Sequence, residues 1–333
     1  MPKPTVTFLK KLQKPPKKAK KDFHYWADYI ELLCLINQDG VFSQNDFIDR
    51  IKSTNRELED SEDFDGDKKN IDENEESDLF AEDCFKILEY RATSFNDYYP
   101  FTLSDSKKNI HIVNPLSDKH KIYLFLLFSS NLGYFNESKS ELTSSFERLS
   151  FEALNNILPS PNSKRYLLGS SNIEKIVDEE QKISSFWDKL NLLATNIKEN
   201  VTIKKEAFSK YHKGDGGLDI VGWIELGDSN PHFPLFFCQC ACTPEWVGKQ
   251  NSSQYNRWSN FISLSTYPLN LIFIPFSYRS SNGDWHEPYL IEKSILMDRL
   301  RLIYNFIPSE AKFKEFESFK VIEKILQQKE SIV

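Results

Sequence analysis

Residues 214–224 read Gly-Asp-Gly-Gly-Leu-Asp-Ile-Val-Gly-Trp-Ile, and residues 235–242 read Leu-Phe-Phe-Cys-Gln-Cys-Ala-Cys. The first stretch joins a glycine-rich turn, which permits close approach of another chain segment, to an apolar run typical of a strand. The second is apolar on both faces, as expected of a central strand that is covered on both sides. Because turn-forming residues lie between them, we predict a hairpin with strands at 218–224 and 235–242.

Helical patterns flank this hairpin in the sequence. Helices are predicted at 143–158 and 173–198 before it, and at 250–264 and 291–306 after it, with a strand at 269–274. Helix, hairpin, helix and strand is the order of an α/β sandwich. The predicted fold class for residues 141–333 is therefore α/β, a mixed sheet flanked by helices, followed by C-terminal helices.

The first 140 residues have a different pattern. Residues 1–21 combine many lysines with prolines and are expected to form a flexible basic arm. Residues 22–140 are expected to be mostly helical, with a clear apolar spacing from Phe23 to Ile36 and a helix start near Ser43 and Asp46. We interpret the acidic residues 57–83 as a loop or linker within this region.

The charge of the chain is unevenly distributed. Its net charge is −7, but residues 57–83 hold fourteen Asp or Glu and two Lys, so this stretch carries −12 and the remainder +5. The net charge therefore favours neither binding nor exclusion of DNA.

The sequence contains no pattern for a membrane span or a secretory signal. Its longest apolar run, residues 122–128, is far too short to cross a bilayer, and the basic N-terminus lacks an apolar core. Three of the five cysteines alternate along one predicted strand, where they make poor disulfide partners. We expect a cytoplasmic protein with no membrane partner.

Asp219 and Gln239 are the first candidates for a functional site. Asp219 opens a strand, so its carboxylate would be held by a rigid element that suits a metal ligand. Gln239 is a polar residue in an apolar strand and needs a hydrogen-bond or metal partner, because burying an unpaired amide costs roughly 1–3 kcal/mol. The alternative is an ordinary hairpin turn with solvated aspartates. The cysteines do not converge on one ion and are expected to be small core residues.

The helix at 143–158 supplies a third candidate. On a helical wheel Glu147 falls within the apolar arc, where a carboxylate requires a cation or hydrogen-bond donors. Glu152 falls on the opposite face, where a surface pair with Arg148 would explain it. Glu147 is therefore the functional candidate, although a buried ion pair with an arginine would account for it equally well.

A helix carrying Phe146-Glu147, an Asp-Gly-Gly-x-Asp turn at 215–219 that opens a strand, and a strand carrying Gln239 resemble the Mrr-like restriction endonucleases of the PD-(D/E)XK superfamily. The resemblance covers about residues 143–275. It implies a restriction-endonuclease-like fold and hydrolysis of phosphodiester bonds with Mg²⁺ or Mn²⁺. The ion would be held by Glu147, Asp219, Gln239 and the carbonyl of Cys240, since hard oxygen ligands suit these metals.

The chain departs from this pattern at one position. The family places a lysine two residues after Gln239, and residue 241 is Ala. Lys249, in the next helix, is the expected substitute in catalysis and Lys213 the second choice, while an ordinary exposed lysine is the alternative for Lys249. If neither lysine reaches the site, the core would be inactive.

Two classes of function follow from these residues. The first is a metal-dependent endonuclease acting on DNA, with a role in defence against foreign DNA that rests on the resemblance alone. The second is an inactive nuclease-fold subunit that binds nucleic acid or a partner protein of a defence complex. Ala241 favours the second class.

Overall fold

The computed structural model describes residues 7–16, 21–59, 70–158, 161–168, 185–208 and 216–328. For residues 7, 54–59 and 70–74 it describes the backbone alone. The helices are α1 (Thr7–Leu12), α2 (Phe23–Ile36), α3 (Gln44–Glu59), α4 (Asn70–Ser94), α5 (Asp118–Ser130), α6 (Lys139–Ile157), α7 (Phe186–Asn196), α8 (Trp246–Lys249), α9 (Tyr255–Trp258), α10 (Arg299–Phe306) and α11 (Glu317–Leu326). The strands are β1 (Val41–Ser43), β2 (Phe101–Leu103), β3 (Asn109–Ile112), β4 (Ser163–Leu167), β5 (Ile220–Ile224), β6 (Leu235–Cys240), β7 (Leu269–Phe273) and β8 (Ile295–Met297).

The chain divides into two compact units. We call the first, made of Met1–Leu142, Phe276–His286 and Lys314–Val333, the helical unit. The second, made of Thr143–Pro275 and Glu287–Phe313, is the sheet unit. The first boundary between the two units follows Leu142. The C-terminal helix α11 belongs to the helical unit.

In the helical unit, α2 is the central helix. It is buried on every side from His24 to Ile36, as expected of a helix in the middle of a core. The predicted helix start near Ser43 is confirmed, because Asp46 Oδ2 accepts bonds from the Ser43 backbone and hydroxyl, and the Asp46 backbone N–H donates to Ser43 Oγ. A small antiparallel sheet of order β1-β3-β2, which the sequence did not indicate, lies in the same unit.

Two stretches expected to be irregular contain helices. The acidic residues 57–59 end α3 and residues 70–83 belong to α4, while 60–69 lie outside the described residues. Helix α4 forms because Phe80, Cys84 and Leu88 share one buried face while the acidic side chains on its other face are exposed. The predicted basic arm contains α1, whose apolar residues Phe8 and Leu12 are buried, and its residues 1–6 and 17–20 are outside the described part.

A buried ion cluster holds α2 against α4. Arg91 Nη1 lies 2.8 Å from Asp28 Oδ1 and 2.9 Å from Glu31 Oε1, and all three side chains are almost completely buried. Tyr99 and Tyr123 also donate to Glu31. Burial alone would lower the pKa of Arg91, but the charges of Glu31 and Asp28 raise that pKa well above its ordinary value. The guanidinium therefore stays charged and forms ion pairs with both carboxylates, which are costly to bury without a cation.

The sheet unit contains a mixed sheet with the order β4-β5-β6-β7-β8. Strands β4, β5 and β6 pair antiparallel in that order, β7 pairs parallel with β6, and β8 pairs parallel with β7. Helix α6 covers one face, where Leu154 and Leu158 lie against Gly222. Helices α7 and α9 cover the other face, where Trp258 packs edge-on against Phe237. The predicted α/β class, a mixed sheet flanked by helices after a helical region, is confirmed.

Three elements of the sheet unit differ from the sequence prediction. Strand β4 was not predicted, because it begins with the polar residues Ser163, Lys164 and Arg165. Strand β8 lies within the helix predicted at 291–306, but Asp298 Oδ1 accepts the Arg301 backbone N–H and caps α10 after the strand has ended. Residues 246–258 form α8, a 3₁₀ turn and α9 instead of one continuous helix from residue 250.

No helix in the ranges given above is both long and apolar enough to span a membrane. All five cysteines are described, and none forms a disulfide.

We predict that Arg91→Met lowers the free energy of unfolding by about 3–5 kcal/mol, because it leaves two carboxylates buried without their shared cation. Urea unfolding followed by circular dichroism measures the effect. Lys86→Met is the matched control, since Lys86 lies on the same helix but pairs with Glu82 and Asp83 at the surface, and its transition should stay near that of the wild type. Equal midpoints for the Arg91 and Lys86 variants would contradict this account.

Candidate active site

Asp219 lies at the junction of three strands. Its backbone N–H donates to Cys238 O at 3.0 Å and its carbonyl accepts the Leu168 N–H at 2.7 Å, so the strand pairing continues one residue before β5 begins. The residue is 4% exposed. The backbone of Asp219 is thus held on both sides, and the direction of its side chain is fixed by the sheet.

The carboxylate of Asp219 is bound directly to β6. Its Oδ2 accepts a hydrogen bond from Gln239 Nε2 at 2.5 Å and a second from the Cys240 backbone N–H at 2.6 Å. Bonds of this kind to an ionised acceptor are short and strong. These bonds give the buried Gln239 amide a hydrogen-bond partner, which an apolar strand cannot supply. They also bring together three of the predicted site residues, Asp219, Gln239 and Cys240.

The other end of the Gln239 amide contacts a residue that the sequence did not single out. Ser252 Oγ lies 3.0 Å from Gln239 Oε1 and 2.6 Å from the carbonyl oxygen of Lys249. Ser252 lies in the 3₁₀ turn between α8 and α9. Its only sequence signal is that the polar residues 250–254 interrupt an otherwise amphipathic segment.

The glycine turn is packed tightly against this turn. A Cβ on Gly217 would lie 2.6 Å from Ser252 Cβ, and a Cβ on Gly216 would lie 2.8 Å from the Phe186 ring. Both glycines also have positive φ angles, +69° and +83° in chain order. The close approach expected of the glycine-rich stretch is therefore present at Gly216 and Gly217, while Lys213, Gly214 and Asp215 lie outside the described residues.

A buried polar network holds the turn that carries Ser252. Asn270 on β7 donates to the Gln250 carbonyl at 3.0 Å and accepts from Ser253 Oγ at 2.5 Å. The Gln250 side chain donates to Leu290 O at 2.8 Å and accepts the Glu292 N–H at 3.0 Å. A network with its polar groups satisfied rigidifies the surrounding structure.

Glu147 approaches from the opposite face of the sheet. Helix α6, which carries Glu147, packs on the face of the sheet that includes Gly222. Gly222 is paired with Phe236, and Cys240 lies four residues further along β6, so Cys240 is on the same face. Burial raises the pKa of the Cys240 thiol well above its usual value, and the charges of Asp219 and Glu147 raise it further. The two carboxylates therefore lie close to Cys240, with Glu147 on one face of β6 and Gln239 on the other.

Glu152 does not occupy the exposed position predicted for it. The residue is 7% exposed, and its Oε2 lies 2.9 Å from Lys312 Nζ and 3.8 Å from Arg165 Nη2. The polar arc of α6 is covered by residues distant in sequence, which a helical wheel does not show. Glu152 thus has a structural role as the centre of an ion-pair group, and Glu147 is the carboxylate beside β6.

Lys249 ends α8 and is half-buried, with its carbonyl bonded to Ser252. Its ammonium makes no ion pair with a carboxylate in the ranges that the structure describes. Ala241, at the position of the family lysine, is completely buried, and its N–H donates to Phe273 O. Arg257 is a cation beside the glycine turn, since its Nε donates to Gly216 O at 3.1 Å.

The ligands available at this place are mostly oxygen atoms. Among the described residues, no three ligand atoms of His, Cys, Asp or Glu that include Asp219 or Glu147 lie within 4.8 Å of one another. A cation here would complete its coordination with the amide oxygen of Gln239, the carbonyl oxygen of Cys240 and water. This neutral and anionic oxygen set fits Mg²⁺ or Mn²⁺ and does not fit a structural zinc ion.

Comparisons with models of protein families, with curated proteins and with solved structures gave no match for this chain.

We predict that Gly217→Ala destabilises the protein by about 1–3 kcal/mol more than Gly227→Ala, because overpacking adds to backbone strain. Gly227 has a similar positive φ of +90° but no neighbour within 4 Å of an added Cβ. The two variants therefore separate the contact with Ser252 from the φ angle alone. Urea midpoints measure the difference, and equal midpoints would show that the contact with Ser252 is unimportant.

We also predict that Glu147→Gln speeds alkylation of Cys240 at pH 8.5 by roughly two- to tenfold. Removing a negative charge lowers the thiol pKa, and a shift of one unit changes the thiolate fraction tenfold. Iodoacetamide labelling followed by peptide mass spectrometry measures the rate. Glu152→Gln is the control and should leave this rate unchanged, and an unchanged rate in Glu147→Gln would place Glu147 away from Cys240.

Proposed function

We propose that the sheet unit is a divalent-metal-dependent nuclease that hydrolyses phosphodiester bonds, with DNA as its substrate. The observation that carries this proposal is the hydrogen-bonded group of Asp219, Gln239 and Cys240 at the end of a rigid hairpin, with the charge of Glu147 beside it. Polar and acidic side chains concentrated at the end of buried strands are typical of catalytic sites.

The order of elements supports the same proposal. Helix α6 carries Glu147, the hairpin β5–β6 follows with Asp219 and Gln239, and α8 and α9 lead to β7, which is parallel to β6. This is the order of helix, hairpin, helix and strand on which the resemblance to Mrr-like endonucleases rests. A role in defence against foreign DNA, in the cytoplasm, follows from that resemblance and belongs to the proposal.

Each residue has a distinct role in the proposed reaction. Asp219, the Gln239 amide oxygen and the Cys240 carbonyl oxygen would hold the cation, Mg²⁺ or Mn²⁺, and Glu147, on the other face of β6, would add its negative charge beside the site. When bound, the ion lowers the pKa of its water and offsets the negative charge that develops on the phosphoryl group. Lys249 and Arg257, the cations on the segment facing the glycine turn, bind the phosphate oxygens of the strand that is cut.

A second function is favoured by one observation. Ala241 replaces the lysine of the family pattern, and its complete burial in the strand means that no side chain at this position reaches substrate. A nuclease-fold subunit that binds nucleic acid or a partner protein of a defence complex without cutting is consistent with this substitution.

We predict that the full chain nicks supercoiled plasmid in the presence of Mg²⁺ or Mn²⁺, and that EDTA abolishes the reaction. Asp219→Asn should lower the rate by about 100-fold or more, since loss of outer ligands alone costs 10–100-fold in metal sites. Asp228→Asn, in the exposed turn between β5 and β6, is the matched control and should keep the wild-type rate. Gel analysis of nicked and linear plasmid measures all three proteins.

Two outcomes would contradict the nuclease. If Asp219→Asn cuts as fast as the wild type, the activity does not come from this site. If no variant cuts DNA or RNA but the wild type binds DNA with an affinity that falls steeply as salt rises, the chain is the binding subunit of the second function.

A further inference from the structure

We propose that Ser252 is the positioning residue that sets the orientation of the Gln239 amide and thereby couples it to cation binding. This inference rests on the proposed function and names a residue outside the predicted site. The contact that motivates it is the hydroxyl of Ser252, placed between the amide of Gln239 and the carbonyl of Lys249.

The Ser252 hydroxyl has two acceptors and one proton. Its Oγ lies 3.0 Å from Gln239 Oε1 and 2.6 Å from Lys249 O. A serine hydroxyl donates one hydrogen bond and can accept two. In the amide orientation that the structure shows, the Ser252 proton can bond only one of these two oxygens at a time. The other oxygen then lacks a hydrogen bond from Ser252.

If the Gln239 amide rotates by half a turn, the amide and the Lys249 carbonyl can both form hydrogen bonds with the Ser252 hydroxyl. Nε2 would then donate to Ser252 Oγ, and the Ser252 proton would go to Lys249 O without competition. Ser252 can therefore act as donor to one amide orientation and as acceptor from the other. An alanine at this position could do neither.

The same rotation changes the Asp219 side of the amide. Gln239 Nε2 now donates to Asp219 Oδ2 at 2.5 Å and to Cys240 O at 3.2 Å, and after rotation Oε1 would take its place beside both oxygens. Two oxygens at that separation repel each other unless a cation lies beside both. The rotated amide is thus the cation-binding form, and the described orientation, in which Nε2 bonds the carboxylate, is the form stabilised without a cation.

The backbone of residue 252 is held by close contacts on two sides. Gly217 lies so close that a Cβ there would come within 2.6 Å of Ser252 Cβ. Trp258 Nε1 donates to the Ser252 carbonyl at 2.8 Å and holds the backbone of the turn in place. The hydroxyl is therefore held at a fixed distance from Gln239, as a positioning residue requires.

A double-mutant cycle on cation affinity tests this role. Mn²⁺ binding is measured by electron paramagnetic resonance, without nucleic acid, for the wild type, Ser252→Ala, Gln239→Glu and the double variant. We expect Ser252→Ala to weaken Mn²⁺ binding by about 5–30-fold in the wild-type background, the range for one buried hydrogen bond. In the Gln239→Glu background the loss should be less than about twofold, because a carboxylate has two equivalent oxygens and needs no orienting partner.

Several outcomes separate this inference from the proposed function. An equal loss in both backgrounds would overturn the role of Ser252 while leaving the metal site intact. Absence of Mn²⁺ binding in the wild type and in Gln239→Glu would overturn the proposed metal site itself, and this inference with it. Ser252→Cys, a near-isosteric variant with a weak donor, should fall between serine and alanine, and full wild-type affinity for it would also count against the role.

Ser259→Ala is the matched control, since Ser259 lies on the same segment and, within the described part of the chain, its hydroxyl donates to the local Asn256 carbonyl. Its Mn²⁺ affinity should equal that of the wild type. Thermal unfolding of each variant in EDTA shows whether the fold is retained, so that a change in affinity can be assigned to the amide.

Discussion

One carboxylate oxygen of Asp219 accepts two N–H bonds from neighbouring residues of β6, one from a side chain and one from the backbone. These bonds fix the point where β5 begins and tie it to the end of β6. Ser252 extends the same chain of contacts to the turn between α8 and α9, and Gly217 permits that turn to approach. Removing the carboxylate would remove both of these bonds between Asp219 and the end of β6.

The chain buries carboxylates in two different ways. In the helical unit, Asp28 and Glu31 share the guanidinium of Arg91, whose positive charge pairs with both carboxylates within the core. In the sheet unit, the bonds described for Asp219 Oδ2 come from neutral N–H groups, which hold the carboxylate in place without cancelling its charge. The first arrangement uses an ion pair, and the second uses hydrogen-bond donors of β6.

Much of the sheet unit was predictable from the sequence, because its signals are local. The hairpin pattern placed Asp219 and Gln239 on neighbouring strands, and the helical wheel placed Glu147 within the apolar arc of its helix. The predictions that failed depend on contacts between distant residues. Glu152 looked exposed because Lys312 lies far along the chain, and the acidic residues of α4 looked like a loop because only tertiary packing of Phe80 and Cys84 shows the buried face. Ser252 could not be predicted as a site residue for the same reason, since only its contacts with Gln239 and Gly217 connect it to the site.

The central claim is that Asp219, Gln239 and Cys240 bind one divalent cation, and a crystal grown with Mn²⁺ tests it most directly. The account predicts an anomalous-scattering peak about 2.0–2.3 Å from an oxygen of Asp219, from Gln239 Oε1 and from the Cys240 carbonyl, as hard cations of this class require. The Gln239 Nε2 atom should then face Ser252. A crystal soaked in excess Mn²⁺ that shows no peak here, with Gln239 Nε2 still bonded to Asp219, would contradict the account.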